Sequence, residues 1–312
     1  MAKEWLLSSG LLMGWSLGAN DSANIFGTGV ASGLIRYRTA IFITAIFVML
    51  GAVIEGDKCL SSLKSLSTLS YLEAFVALLA SALTMIFLTF LALPASTSQA
   101  IVGALMGIAM YHGSPDFSAL SKIVTCWVLT PIGGVLCSVI LYKPLRLLLV
   151  DRVKSLVARN RLFFIGILAT GSYGAYSLGA NNVANVTGVY VVSGLLSPKL
   201  AVALGGLSIA LGVLTYSRKT MMTVGKSIVP LDPFSALLAV LSEATVLHVF
   251  TQIGVPVSSS QAIVGGVIGV GIIRDFRTVN FRIFSKIIAG WVITPIVSGI
   301  LAWGFFVVYS IF

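Results

Sequence analysis

Long apolar runs separated by short polar connections form the main pattern along the chain. The runs that are almost free of charge are Thr39–Ile54, Tyr71–Leu93, Ile123–Tyr142, Leu162–Leu178, Leu200–Leu214, Phe234–Val255 and Ile287–Phe312. A helix needs roughly 20 such residues to cross the hydrocarbon of a membrane. Because lipid offers the backbone no hydrogen-bond partners, we predict that these runs are helices. The short alternating segments typical of a membrane β-barrel do not occur in the sequence.

Three motifs occur twice, in the same order and at a nearly constant distance. SLGANDSANIFGTGVASG at 16–33 and SLGANNVANVTGVYVVSG at 177–194 agree at eleven of eighteen positions. PASTSQAIVGALMG at 94–107 and PVSSSQAIVGGVIG at 256–269 agree at nine of fourteen. KIVTCWVLTPI at 122–132 and KIIAGWVITPI at 286–296 agree at seven of eleven. The chain is therefore a duplicated unit of roughly 160 residues, and such repeats determine the architecture.

The number of hydrophobic segments predicts how the two halves are related. The first half contains about five, at approximately 5–33, 39–56, 71–93, 94–112 and 119–142. An odd number makes the second half enter the membrane from the opposite side, which gives inverted-topology repeats. An even number would give parallel repeats instead. We predict an all-α polytopic membrane protein of two inverted repeats, with broken helices or hairpins at the midplane. The N-terminal repeat is expected at 1–142, a basic connection at 143–161 and the C-terminal repeat at 162–312.

Composition and charge agree with a surface that faces lipid. Hydrophobic residues make up 57% of the chain and charged residues 10%, against about 25% charged in ordinary soluble domains. The net charge of +10 lies in short connections, which does not indicate a nucleic-acid partner. Basic residues concentrate at 143–161, and Lys- and Arg-rich connections stay in the cytoplasm. We therefore predict a multi-pass protein of the plasma or inner membrane, with a cytoplasmic middle connection and both termini outside.

The first matched pair of polar segments is GANDSAN at 18–24 and GANNVAN at 179–185. Each interrupts a hydrophobic stretch, where a carboxylate and several carboxamides are costly without partners. The oxygens of Asn20, Asp21, Asn24, Asn181 and Asn185 could replace the water shell of a small cation. The glycines permit a backbone break or a close helix contact. The alternative interpretation is that the glycines pack helices and the asparagines bond across them.

The second matched pair is Pro94–Gln99 and Pro256–Gln261. Proline ends or kinks a helix, and the hydroxyls that follow are good N-cap residues before a clean apolar helix. This pattern predicts a helix N-terminus at membrane depth, which attracts anions through free N–H groups and the helix dipole. Simple capping of a kinked helix is the alternative.

The two pairs together indicate transport of an anion with cations. Converging helix N-termini with several hydroxyls suit a compact tetrahedral oxyanion, and the motifs contain no Lys or Arg to balance its charge. The balancing cations must then travel with the anion, which favours symport without a resident cofactor. A channel fits two broken segments in an inverted pair less well. An enzyme is not expected, because the sequence has no HExxH motif and no nucleophile–base set.

These residues carry a resemblance to a known family. GANDSAN and GANNVAN, with PASTSQAIVG and PVSSSQAIVG, resemble the PiT family of inorganic phosphate transporters over essentially the whole chain. The resemblance implies sodium- or proton-coupled phosphate uptake, inverted repeats and commonly a homodimer, and a bacterial branch carries sulfate. Many eukaryotic relatives have a glutamate within the second helix, and Ala45–Leu50 has none here. Glu243 lies deep in a later segment, where its repeat mate is Ser81.

The resemblance implies where phosphate and sodium bind. Phosphate is expected to contact hydroxyl, carboxyl and carboxamide groups of both halves: Asp21, Thr97, Ser98, Asn182, Ser259 and Ser260. Two related sodium sites are expected, the first from Asn20, Asp21, Asn24, Thr97 and Gln99, the second from Asn181, Asn185, Ser259 and Gln261. The leading hypothesis is a sodium–phosphate symporter. The alternative is a proton-coupled phosphate or sulfate permease.

Overall fold

The computed structural model describes residues 4–60, 69–90, 95–227, 231–274 and 281–309, and within these ranges all regular secondary structure is helical. Short turns of 3-10 helix occur at Glu4–Leu6 and Gly56–Cys59, and a π-helical turn at Leu147–Asp151. The α-helices are α1 (Leu7–Ala31), α2 (Tyr37–Glu55), α3 (Tyr71–Phe90), α4 (Thr97–Tyr111), α5 (Phe117–Arg146), α6 (Leu156–Val192), α7 (Pro198–Ser227), α8 (Pro233–Ile253), α9 (Ser259–Arg274) and α10 (Phe281–Tyr309).

The helices confirm a polytopic all-α membrane protein. Seven of those in the described ranges are long and apolar enough to cross a membrane: α2 with the turn that follows it, α3, α5, α6, α7, α8 and α10. Helices α4 and α9 have 15 and 16 residues, about 23 Å at 1.5 Å per residue, which is short of the hydrocarbon thickness. The outer faces of α5 and α10 expose apolar side chains such as Ile140 and Ile300, as a lipid-facing surface requires.

The contacts between helices occur in matched sets across the two halves. Helix α1 packs against α7, and its repeat mate α6 packs against α2. A side chain at Gly18 of α1 would overlap the backbone of Ile209, and one at Gly179 of α6 would overlap the backbone of Val48. The two contacts are equivalent, because Gly18 and Gly179 are 161 positions apart and so are Val48 and Ile209. Each half therefore contributes the same helices to equivalent contacts with the other half.

A second matched set holds the shorter helices in place. Helix α4 packs against α10, and its mate α9 packs against α5. Gly103 of α4 lies against the backbone of Pro295, and Gly265 of α9 lies against the backbone of Pro131. Small residues allow this close approach of helices. The matched contacts are those expected of inverted repeats, while the direction of the axis relative to the membrane stays a prediction.

The segments GANDSAN and GANNVAN do not interrupt their helices. Helix α1 continues through 18–24 and α6 continues for 37 residues through 179–185. The prediction of a backbone break in the first pair is therefore wrong. The glycines instead allow a close contact between helices, which was the alternative role. Without a Cβ atom, Gly18 and Gly179 let another backbone approach, and no proline removes a helical hydrogen bond.

The second pair has the predicted helix starts. Helix α8 ends at Ile253. Gly254 caps it with a left-handed φ of 81°, and α9 begins at Ser259. The hydroxyl of Ser258 accepts from the N–H of Gln261, and that of Ser96 accepts from the N–H of Gln99 at the start of α4. Pro94 lies outside the described residues.

The basic connection is largely helical in the structure. Helix α5 continues to Arg146, the π-helical turn follows directly, and α6 begins at Leu156. Only residues 152–155 of the predicted connection 143–161 lie outside helices. The division of the chain into two repeats at this connection stays a prediction.

Candidate functional site

The starts of α4 and α9 meet inside the protein and exchange hydrogen bonds. Ser98 donates its hydroxyl to the carbonyl oxygen of Val257 at 2.9 Å, and Ser260 donates to that of Ala95 at 3.4 Å. Ser98 and Ser260 are repeat mates, as are Ala95 and Val257. The two bonds are thus one contact made twice, and all four residues are buried. The helix N-termini from the two halves therefore lie side by side.

Asp21 of α1 is held between these two helix starts. One carboxylate oxygen, Oδ2, accepts from the hydroxyl of Ser259 at 2.8 Å and from that of Thr97 at 3.5 Å. Its other oxygen, Oδ1, has no hydrogen-bond partner among the described residues, although the side chain is only 2% exposed. Thr97 and Ser259 are repeat mates, so one carboxylate binds the same position of both halves.

The mate of Asp21 on α6 has the opposite hydrogen-bonding character. The amide nitrogen of Asn185 donates to the oxygen of Asn182 at 3.0 Å and to the hydroxyl of Ser98 at 2.9 Å. This leaves the amide nitrogen of Asn182 and the oxygen of Asn185 without partners in the described part of the chain. Asp21 offers a free acceptor where Asn182 offers a free donor.

Asn181 ties α6 to the turn between α8 and α9. Its amide nitrogen donates to the hydroxyl of Thr251 at 3.0 Å and to the carbonyl oxygens of Leu247 and Val255 at 3.2 and 3.1 Å. Its oxygen accepts from the N–H of Val257 at 2.8 Å. A carbonyl oxygen has two lone pairs, so this oxygen keeps one for a further ligand. Asn181 therefore positions the start of α9.

A matching bond exists in the first half, and sequence reasoning missed it. Asn20 of α1 donates its amide nitrogen to the hydroxyl of Thr89 at 2.9 Å. Thr89 and Thr251 are repeat mates, so Asn20 and Asn181 make equivalent bonds to the helix that precedes each helix start. The sequence contained a signal for these threonines: Thr89 and Thr251 are 162 positions apart, the same distance that separates Pro94–Gln99 from Pro256–Gln261.

The remaining predicted residues contribute unpaired polar atoms. Gln99 and Gln261 are both 3% exposed, and neither Oε1 has a partner within the described residues. The amide nitrogen of Asn24 is also buried and unpaired. The site thus has unpaired oxygens on Asp21, Gln99, Asn185 and Gln261 and unpaired N–H groups on Asn24 and Asn182. Oxygens of this kind bind hard cations, and amide N–H groups bind oxyanions.

Among the described residues, no positively charged side chain is buried at the site. The buried residues of the described chain include two acids, Asp21 and Glu243, and no Lys or Arg. The positive contribution comes from the N-termini of α4 and α9, equivalent to about half an elementary charge each. Such a site binds an oxyanion weakly unless cations enter with it.

Two helix starts and two unbroken polar helices enclosing a buried charged site define a polytopic membrane carrier. The chain belongs to the phosphate transporter family, whose sequence model matches residues 17–302. This match covers all twelve of the residues expected at the site.

Individual relatives cover nearly the whole chain. A putative phosphate permease of Methanocaldococcus jannaschii is 31% identical, over 91% of this chain and 90% of its own length. One from Pyrococcus horikoshii is 28% identical over 96% of both chains. The sulfate permease CysP of Bacillus subtilis is 28% identical, over 92% of this chain and 82% of its own length.

The fold is that of a solved transporter. A structure described as the sodium-dependent phosphate transporter matches with a TM-score of 0.84 and covers 98% of this chain and 100% of that chain. At 24% sequence identity, this likeness establishes the shared fold.

Proposed function

We propose that this protein is a secondary active transporter that imports inorganic phosphate together with sodium ions by alternating access. The observation that carries the proposal is a set of oxygens and N–H groups around Asp21, at two helix N-termini, that have no partner among the described residues. No buried Lys or Arg occurs among the same residues. The relatives named phosphate permeases and the structural neighbour described as sodium-dependent support the same assignment.

Phosphate binds between the two helix starts in this proposal. The N-termini of α4 and α9 direct backbone N–H groups towards it, and the hydroxyls of Ser98 and Ser260 can turn to donate to it. The free amide of Asn182 adds a donor from α6. In the structure, Ser98 and Ser260 each donate to the opposite helix start. When phosphate binds, these two bonds between the halves are replaced by bonds from the same hydroxyls to phosphate.

Sodium ions occupy the unpaired oxygens on either side of phosphate. The first site uses Asn20, Asp21, Asn24, Thr97 and Gln99, and the second uses Asn181, Asn185, Ser259 and Gln261. Ligands that lie off a two-fold axis must come in pairs, whereas a ligand on the axis contacts both halves. Each sodium therefore strengthens phosphate binding, and phosphate strengthens sodium binding by the same factor.

The orientation and assembly follow from the sequence and the resemblance. The connection at 143–161 is cytoplasmic, both termini are outside, and the protein is a homodimer. Labelling intact cells with a membrane-impermeant thiol reagent tests the orientation on a Lys154→Cys variant in a background without native cysteines. We expect labelling only after the cells are permeabilised, and labelling of intact cells would reverse the topology.

Uptake of labelled phosphate by proteoliposomes tests the proposed transport activity. An inward sodium gradient is compared with choline in its place, each with and without an imposed pH gradient. We expect uptake with sodium and little with choline. Equal uptake in choline that follows only the pH gradient would instead establish the proton-coupled alternative.

Sulfate is the second candidate substrate, because one relative is named a sulfate permease. Uptake of labelled sulfate from outside the same vesicles, compared with that of labelled phosphate, discriminates the two anions. We expect phosphate to be preferred because Asp21 presents an unpaired carboxylate oxygen to the site, and sulfate has no proton to donate to it.

A further inference from the structure

Glu243 is a buried acid that the proposed sodium and phosphate sites do not use. It lies in the middle of α8, is 0% exposed, and neither carboxylate oxygen has a hydrogen-bond partner in the described ranges. Ionisable side chains inside membrane segments are costly and commonly mark ion pathways. The question is what neutralises this carboxylate.

The neighbours of α8 fix the depth of Glu243. Gly174 of α6 packs against Val240, about one turn before Glu243. Asn181 of α6 donates to the carbonyl oxygen of Leu247, about one turn after it. Helices α6 and α8 therefore run in the same direction here. Glu243 lies one turn from Leu247, which bonds to Asn181, the residue that positions the start of α9.

Helix α1 brings Asp21 to the same depth. Gly174 also packs against Ile25 of α1, and α1 runs opposite to α6 because the next contact pairs Phe26 with Gly171. Asp21 precedes Ile25 by about one turn of α1, and Glu243 follows Val240 by about one turn of α8. Because α1 and α8 run in opposite directions, these two steps lead the same way along α6, and the two acids lie at the same depth. The two buried acids, one from each half, face a common region.

Asp21 and Glu243 differ in what surrounds them. Asp21 receives hydroxyl donors from Thr97 and Ser259, whereas Glu243 receives none from the described residues. The other titratable groups near α8 contact residues other than Glu243. Tyr173 and Tyr176 contact His248, and Arg274 pairs with Asp232. Cys137 lies beside Ser242 and Thr245, and Cys59 lies beside Asn181 and Thr251. A buried ion without a partner costs several kcal/mol, so a mobile cation must neutralise Glu243.

The repeat indicates that helix packing does not require an acid at this position. The mate of Glu243 is Ser81 of α3, which is also 0% exposed. Its hydroxyl donates to the carbonyl oxygen of Ala77 in its own helix at 2.7 Å. A small residue satisfied by its own helix is therefore sufficient in the equivalent environment, and the carboxylate of Glu243 is an addition to it.

We propose that Glu243 is a further cation-binding residue, which takes up one monovalent cation in each transport cycle in addition to the sodium ions of the paired motifs. The cation is a proton or a sodium ion, since either removes the unpaired negative charge. It enters with the substrate and leaves to the cytoplasm, and the empty carrier returns with Glu243 ionised. The inference rests on the proposed transport function.

The charge moved for each phosphate tests the inference. Purified protein in proteoliposomes is measured by electrical recording of transport currents and, in parallel, by uptake of labelled phosphate. Glu243→Gln keeps the shape of the side chain and removes its negative charge. We expect the variant to move one elementary charge fewer per phosphate than the wild type. An unchanged charge per phosphate would overturn the proposal.

The dependence of uptake on pH and on sodium identifies the cation. If Glu243 binds a proton, Glu243→Gln loses the pH dependence of wild-type uptake and keeps its sodium dependence. If Glu243 binds sodium, the variant transports one sodium ion fewer per phosphate and keeps the pH profile. Either result supports a cation at Glu243, and a variant with both profiles unchanged contradicts it.

Two controls separate this proposal from its alternatives. Ser81→Ala changes the matching position, and we expect it to move the wild-type charge per phosphate. If Glu243→Gln does not transport, the melting temperature of both proteins in nanodiscs is measured in sodium and choline chloride at two pH values. The variant should lose part of the stabilisation by cations, and equal stabilisation would overturn the proposal. Failure of the proposed function is recognised separately, because wild-type protein would then show no sodium-dependent phosphate uptake.

Discussion

At the scale of single residues, the repeat differs most informatively at Asp21 and Asn182. Both side chains have the same shape, but the unpaired atom of Asp21 is a carboxylate oxygen and that of Asn182 is an amide nitrogen. The first is an acceptor and the second a donor. Dihydrogen phosphate can donate a hydroxyl proton to the first and accept from the second, whereas sulfate can only accept.

We therefore predict that Asp21→Asn reduces phosphate transport strongly and lowers the preference for phosphate over sulfate. The change makes the two halves alike at this position and removes the acceptor, and a site built around a buried polar group rejects ligands that lack the matching group. Uptake of both labelled anions by wild type and variant measures the ratio. Wild-type uptake with unchanged selectivity would contradict this role of Asp21.

Ser98 and Ser260 offer a matched pair of variants at the same scale. Ser98 donates to Val257 and accepts from Asn185, both at 2.9 Å and both in the other half of the chain. Ser260 reaches the other half only through the 3.4 Å bond to Ala95, and its 2.9 Å bond is with Ser258 at the start of its own helix. Removing one partner of a buried hydrogen bond costs about 1–3 kcal/mol. We predict that Ser98→Ala lowers the melting temperature in the absence of phosphate more than Ser260→Ala does, and the reverse order would contradict the observed bonds.

At the scale of helices, local pattern predicted some features and not others. The starts of α4 and α9 could be predicted because serine N-caps leave a signature within a few residues of sequence. The continuity of α1 and α6 could not, because a glycine permits both a break and a close contact. The neighbour decides between them, and Ile209, the neighbour of Gly18, is distant in sequence. The bonds from Ser98 and Ser260 across the two halves were missed for the same reason.

The close contacts of glycine predict a contrast between two substitutions. In Gly18→Ala, the new Cβ would overlap the backbone of Ile209, which cannot move as a side chain can. We expect overpacking to lower the free energy of unfolding by about 1–3 kcal/mol. Gly304→Ala in α10 meets no atom within 4 Å and should stabilise its helix by up to about 1 kcal/mol. Melting temperatures in detergent test both, and equal effects would contradict the packing.

At the scale of the whole molecule, the apolar runs predicted the helical fold, and the duplication predicted the five matched helices that each half has within the described ranges and the meeting of the paired motifs. Equivalent contacts between halves, such as Asn20 with Thr89 and Asn181 with Thr251, follow from that duplication. The departures from symmetry, at Asp21 and Glu243, lie in the buried centre. They were visible in the sequence as mismatches, but their neighbours became apparent only in the fold.

Binding of phosphate and sodium to the same purified protein in nanodiscs tests the coupling of the two ligands without any transport step. The dissociation constant of phosphate is determined at several sodium concentrations, with choline keeping the ionic strength constant, and that of sodium at several phosphate concentrations. We predict that sodium raises the affinity for phosphate and that phosphate raises the affinity for sodium by the same factor. Phosphate binding that is equally tight in choline would contradict it.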